Sequence, residues 1–343
     1  MIVRHIKLFG LVILLILCTD IVKAQHIVLL QQGKPTSIRG LSVVDNNIAW
    51  ISGSKGYVAL TKDGGKTWLW QQVKGHEKSD FRGIQAFSAE EAIIMSSGTP
   101  ALVLKTTDGG ITWVEKYKNT DTTYFLDAMD FADTEHGYIL GDPINNKFIL
   151  LETKDAGETW NISTTRPDAL PGEAAFAASN TCLRVDTSAI KIVTGGSHSQ
   201  LLVFLQNKTD QNHWMYSPTG LAQGKLSQGT FSFAENSSIQ IFVGGDYTKD
   251  RKIDSVASYI AYSCYVNVIH YPRTPPMGYQ SCVEYIKDNS FLSTGTSGTN
   301  ITVDGSQTWN KIDSISFNVC RKAKHGTIVL LAGNDGKIAI FEP

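Results

Sequence analysis

One eight-residue sequence recurs four times along the chain, and that recurrence limits the fold to a repeat architecture. Thr61-Lys62-Asp63-Gly64-Gly65-Lys66-Thr67-Trp68 returns as Thr106-Thr107-Asp108-Gly109-Gly110-Ile111-Thr112-Trp113 and as Thr153-Lys154-Asp155-Ala156-Gly157-Glu158-Thr159-Trp160. It appears a last time as Thr302-Val303-Asp304-Gly305-Ser306-Gln307-Thr308-Trp309. Each part has a structural task. The Asp accepts hydrogen bonds from backbone N–H groups of its own tight turn. The glycines supply the positive φ of a hairpin loop, and the Trp enters the next strand, burying a large apolar area. Asp63, Gly65 and Trp68, Asp108, Gly110 and Trp113, Asp155, Gly157 and Trp160, and Asp304 with Trp309 are therefore read as staples of β-hairpins, not as catalysts.

The spacing counts the repeats. Asp63 to Asp108 is 45 residues, Asp108 to Asp155 is 47, and Asp155 to Asp304 is 149, so two eroded copies are expected between the third and the last. Trp214 sits where the first eroded copy ends, after a degenerate Asn207-Lys208-Thr209, and around residues 255–264 the second is gone. Beyond Trp309 three strand-like runs remain, at 315–323, 327–332 and 337–341. A propeller blade needs four strands. Residues 26–31 form a strand without a partner at the other end, and joining it to the last three closes a ring with no open edge. The fold expected is all-β, a seven-bladed β-propeller closed by pairing the N-terminal strand with the last blade, in one domain over 25–343. In the first repeat, alternation and turn residues place strands at 39–44, 48–52, 57–62 and 67–72. No window of the mature chain supports a helix.

Residues 1–24 read as a signal peptide: Arg4 and Lys7 precede an apolar run over 8–17, and Val22-Lys23-Ala24 offers a cleavage site. The expectation is a secreted or periplasmic protein cleaved near Ala24. A lipoprotein anchored through Cys18 is the weaker alternative, because Leu15-Ile16-Leu17 is bulky where small residues are wanted. Export leaves Cys182, Cys264, Cys282 and Cys320, which allow three disulfide pairings. Cys182, Cys282 and Cys320 each lie thirteen residues before a glycine, Gly195, Gly295 and Gly333, which points to equivalent packing sites in successive repeats.

The repeated element is the Asp-box of sialidase-like and related propellers, and the chain resembles the photosystem II stability/assembly factor propellers and their non-photosynthetic bacterial relatives. Stretches similar to the bacterial group include Asp127-Ala128-Met129-Asp130 and its continuation to Asp142, the run from Leu170-Pro171-Gly172-Glu173 to Cys182, Val243-Gly244-Gly245-Asp246, and Gly278-Tyr279-Gln280-Ser281. The resemblance implies the seven-bladed fold. For function it implies binding of a membrane-protein partner, partly through arginine-rich surface. Only seven arginines follow Ala24 (Arg39, Arg82, Arg166, Arg184, Arg251, Arg273 and Arg321), which argues against a strong basic patch.

In such a ring the loops between second and third strands, and those between blades, gather on one face, opposite the boxes. That face is expected to carry Asp142, Glu173 and Asp246, with Arg251 and Lys252 in a long loop. These acids, and Arg251, are the candidate binding residues. As a catalytic set, Asp142, Glu173 and Asp246 would suit glycoside hydrolysis, but a Gly-flanked Asp more often caps a turn. A sialidase also needs an arginine-bearing F/Y-R-I-P element, which Tyr271-Pro272-Arg273-Thr274-Pro275 does not supply. No Rossmann glycine motif, nucleophile elbow or paired-histidine zinc motif is present. Balanced charge, with Lys+Arg 31 against Asp+Glu 32, leaves no excess for nucleic acid. The sequence thus predicts a non-catalytic binding or assembly propeller, a monomer with no cofactor and no metal. Its expected partner is a protein or glycan at the channel face, with peripheral association with membrane proteins in view. A sialidase-like glycosidase is the alternative.

Overall fold

The computed structural model describes residues 25–206, 213–262 and 268–343. The signal-peptide, Cys18 and Cys264 expectations, and the degenerate run at 207–209, lie outside them. Seven antiparallel sheets follow one another around a central axis. Blade 1 is Ile38–Val43, Ala49–Gly53, Tyr57–Thr61 and Leu69–Gln72, within two residues of each bound read from the sequence at its termini. Blades 2 to 6 begin with Asp80–Ala86, Leu126–Phe131, Leu183–Val185, Lys225–Glu235 and Cys282–Lys287 as innermost strands. Blade 7 contributes Val319–Lys322, Val329–Ala332 and Ile338–Glu342, and its fourth strand is His26–Gln31. The register pairs Ile27 with Phe341, Val28 with Ile340 and Leu29 with Ala339, so the two ends of the chain share one sheet. The described residues hold no α-helix, only two short 3₁₀ turns, and no described helix is long and apolar enough to cross a membrane.

The four boxes share one hydrogen-bond scheme. In the first, Thr61 Oγ1 donates to Asp63 Oδ1 at 2.8 Å and accepts from Gly65 N at 2.9 Å. Asp63 then receives Thr67 N at 2.9 Å and Thr67 Oγ1 at 2.6 Å. The same bonds recur at Asp108, Asp155 and Asp304. The Thr–Asp pair fixes both sides of the loop. In the fourth box Ser306 takes the place of glycine at φ +72°, and its hydroxyl accepts the Trp309 indole N–H at 2.9 Å. Each box also grips the preceding blade. Trp113 meets Trp50 of blade 1 edge-on at 6.2 Å, while Trp309 packs with Ile239 and Ile241 of blade 5. A Cβ on Gly157 would strike Ile93 of blade 2. The box is thus a clamp between blades as well as a staple within one.

Cys282 and Cys320 are fully buried free thiols on innermost strands, and Cys182, equally buried, directly precedes the innermost strand of blade 4. Their place in the packing agrees with their even spacing in the repeats.

Candidate functional site at the mouth of the channel

Innermost strands carry a regular irregularity that was not read from the sequence. In blade 1 the pairing skips from Ile38 to Gly40, in blade 2 from Phe81 to Gly83, in blade 3 from Leu126 to Ala128 and in blade 5 from Thr230 to Ser232. The residues left out of the ladder are Arg39, Arg82, Asp127 and Phe231. A bulge re-aims its side chain, and all four line one cavity of about 600 Å³ on the axis, at the face opposite the boxes. The signal available in the sequence was Arg39-Gly40 and Arg82-Gly83, followed by Asp127-Ala128, at nearly the period of the boxes.

The floor of the cavity is the connection between blades 3 and 4, which crosses the channel instead of turning directly. Glu173–Ala174 pairs with Gly195–Gly196, and these pair with the inner strand of blade 5, so the crossing is hydrogen-bonded to the ring. Gly196 is required at this crossing. Its φ is +81°, and a Cβ would lie 2.3 Å from the Gly172 carbonyl oxygen. Ala175, Ala177 and Ala178 are small and buried, which leaves the volume above them open. Phe176 instead stacks on Phe231 at 3.8 Å, and Tyr279 meets Phe231 edge-on at 4.8 Å. Next along the chain, three residues bolt the crossing to the blades. Ser179 Oγ donates to the Ser281 carbonyl at 2.7 Å and Thr181 Oγ1 to Ser232 Oγ at 2.7 Å. Asn180, at φ +61°, accepts from Met129 N at 2.7 Å and donates to Met129 O at 3.1 Å. Asn180→Ala leaves both Met129 groups buried without partners and keeps the strained backbone. It is expected to cost about 2–4 kcal/mol, read as a lower midpoint in urea unfolding with unchanged slope.

The charges at the mouth are mixed. Arg82 Nε bonds Asp80 Oδ2 at 2.7 Å and its guanidinium lies 5.8 Å from the Phe125 ring centre. Arg39 Nη1 donates to the Ala178 carbonyl at 3.3 Å. Asp142 accepts from Ala175 N at 3.1 Å, and burial raises its carboxyl to about 6 against that bond. Asp127 is 1% exposed and neither oxygen makes a hydrogen bond of normal geometry. Burial, and then the Asp142 carboxylate, push its pKa well above the usual range, with Arg82 and the Ala177 backbone N–H acting in the opposite sense.

The other acids expected here are held by hydrogen bonds of their own. Glu173 accepts from Leu170 N at 2.9 Å, Thr194 Oγ1 at 2.5 Å and Gln200 Nε2 at 3.3 Å. Asp246 caps the turn Tyr247–Lys249, receiving Thr248 N at 3.0 Å and Thr248 Oγ1 at 2.6 Å. Although burial opposes it, the bonds from Thr248, Ser227 and Gln228 hold its carboxyl at about 2. Arg251 is exposed beside a separate groove of about 440 Å³ with Asp250, Ile253 and Met277. Of the sequence candidates, Asp142 alone lines the axial cavity, where it meets Asp127, Arg39 and Arg82. The two arginines are balanced by Asp80 and the acid pair, so the mouth is not a basic patch. At the opposite mouth Arg184 and Arg321 share Glu284, at 3.0 and 3.8 Å.

Fold and site together define a seven-bladed Asp-box propeller whose channel is plugged from one side and opens on a polar and aromatic cavity. Among known proteins this chain resembles the photosystem II assembly factors. The family model for photosynthesis system II assembly factor YCF48 matches residues 31–117. The photosystem II assembly lipoprotein Ycf48 of Synechococcus sp. (strain CC9902) is 28% identical over 126 residues, 36% of either chain. The chloroplastic photosystem II stability/assembly factor HCF136 of Arabidopsis thaliana is 36% identical over 83 residues. The chain spans about a third of the first relative's length and 19% of the second's. The solved structure titled YCF48 bound to D1 peptide superposes with TM-score 0.64 at 16% identity, covering 94% of this chain and 96% of that one. The WD40 propeller domain of Doa1 gives 0.61 at 10% identity, covering 93% and 97%, so the likeness in structure is one of fold.

Proposed function

We propose that this protein is an exported, non-catalytic binding propeller that holds a peptide segment of a protein partner at the plugged mouth of its channel. The observation that carries the reading is the mouth itself: a cavity of about 600 Å³ with an aromatic wall and Leu226 and Tyr247 at its rim, 74% and 50% exposed. Exposed apolar residues beside a pocket with a few convergent polar groups are typical of a binding site. The similarity to photosystem II assembly factors, one of them solved with a peptide, supports a protein as the occupant. Export with cleavage near Ala24 and action as a monomer belong to the same proposal. The hydrogen bonds that hold Glu173 and Asp246 elsewhere favour binding over glycoside hydrolysis, since the hydrolase alternative keeps one of its three acids, Asp142, at the cavity.

Affinity capture from the native cell envelope tests the reading. The wild-type protein should retain a specific partner that Leu226→Glu and Tyr247→Ala each release by about tenfold or more. Ile111→Glu, at an exposed box position on the opposite face, should retain it. Equal retention by all variants would place the partner elsewhere.

A further inference from the structure

We infer that the mouth cavity accepts one monocationic side chain, a lysine ammonium or an arginine guanidinium of the partner peptide, between the Asp127–Asp142 pair and the wall formed by Phe231 and Tyr247. The inference rests on the peptide-partner reading above and adds the chemistry of what enters the pocket.

Three observations converge. Asp127 is buried and lines the cavity, and neither oxygen makes a hydrogen bond of normal geometry, although the Ala177 backbone N–H interacts with it. Such a group costs stability unless something donates to it. The cations already present do not do so, because Arg82 is paired with Asp80 and Arg39 with the Ala178 carbonyl. The second observation is charge. Two guanidiniums, Arg39 and Arg82, face three carboxyls, Asp80, Asp127 and Asp142, so with all ionised the mouth is one negative charge in excess. In the empty cavity a proton on the acid pair supplies the balance, and a bound monocation replaces that proton. Third, Tyr247, half exposed, lines the same cavity and meets Phe231 edge-on at 6.2 Å, and an aromatic ring face attracts a desolvated cation. An anion would meet the carboxyls of Asp127 and Asp142 in the same cavity.

The test is calorimetric titration of the mature protein with three probes at neutral pH: acetyl-Ala-Leu-Lys-Leu-Ala-amide, the same peptide with norleucine for lysine, and n-butylammonium chloride. The lysine peptide is expected to bind at least about tenfold more tightly than the norleucine peptide and more tightly than n-butylammonium. Asp127→Asn, of nearly the same shape, should abolish the preference. Asp142→Asn should reduce it, and it serves as the variant should Asp127→Asn fold poorly by thermal melting. Equal binding of the two peptides, a preference that survives both substitutions, or binding of neither peptide overturns the inference. n-Butylammonium binding as tightly as the lysine peptide would make a free amine the ligand and overturn the peptide source. Failure of the inference is separable from failure of the reading beneath it, which is judged by release of the captured partner from Leu226→Glu and Tyr247→Ala.

Discussion

A chain starting at residue 33, without the strand His26–Gln31, should be markedly destabilised and prone to aggregate. The strand contributes five register pairs to Ile338–Glu342 and packs Ile27 and Leu30 on the core shared by blades 6, 7 and 1. At about 0.5–1 kcal/mol per backbone bond and about 1 kcal/mol per half-buried aliphatic side chain, its removal costs about 4–7 kcal/mol. That is a large part of the stability of a natural domain. The truncated chain also bares the edge of Ile338–Glu342, a template for pairing with another copy. The expected result is a melting temperature lower by about 10 °C or more, with concentration-dependent light scattering. Adding the peptide corresponding to 25–32 in trans should partly restore the melt. An unchanged melt would mean that the ring does not depend on this seam.

Asp142→Asn should stabilise the protein at pH 8 and leave it unchanged at pH 4. The carboxyl of Asp142 sits at about 6 when folded, above its ordinary 3.8, because it is largely buried. A raised folded pKa means that the unfolded chain releases the proton first as pH increases. The contribution is therefore full below about 4 and is lost as pH rises through about 6. The shift of roughly two units corresponds to about 3 kcal/mol at most, and the amide removes that cost while its carbonyl still accepts Ala175 N–H. Comparing the variant with the wild type at each pH cancels the opposite contributions of carboxylates held low, such as Asp63 and Asp246. Urea midpoints from pH 4 to 8 measure the difference. A constant difference across that range would show that Asp142 is not desolvated. A site group whose ionised form costs stability is what a preformed binding pocket leads one to expect.

The architecture was legible because its signal is local. Each box is a short loop whose Thr, Asp and Trp are neighbours in sequence, so four copies and their spacing gave the ring, its seven sectors and the N-terminal closure. The site was less legible because it is made by strand pairing. Whether Asp127 lies in or out of the ladder depends on Gly141 and Leu140 across the sheet, not on its own neighbours. Arg39, Arg82 and Phe231 share that origin. Glu173 follows Leu170-Pro171-Gly172, but its direction depends on Thr194, 21 residues away. The plug is hidden for the same reason, since Asn180 finds its partner in Met129, on another blade.

Hydrogen exchange of the protein with and without its captured partner tests the central claim most directly. Binding at the plugged mouth predicts new protection at residues 174–178 and around Leu226 and Tyr247, with the four box loops unchanged. Protection confined to the loops of Asp63, Asp108, Asp155 and Asp304 would put the partner on the opposite face and contradict the account.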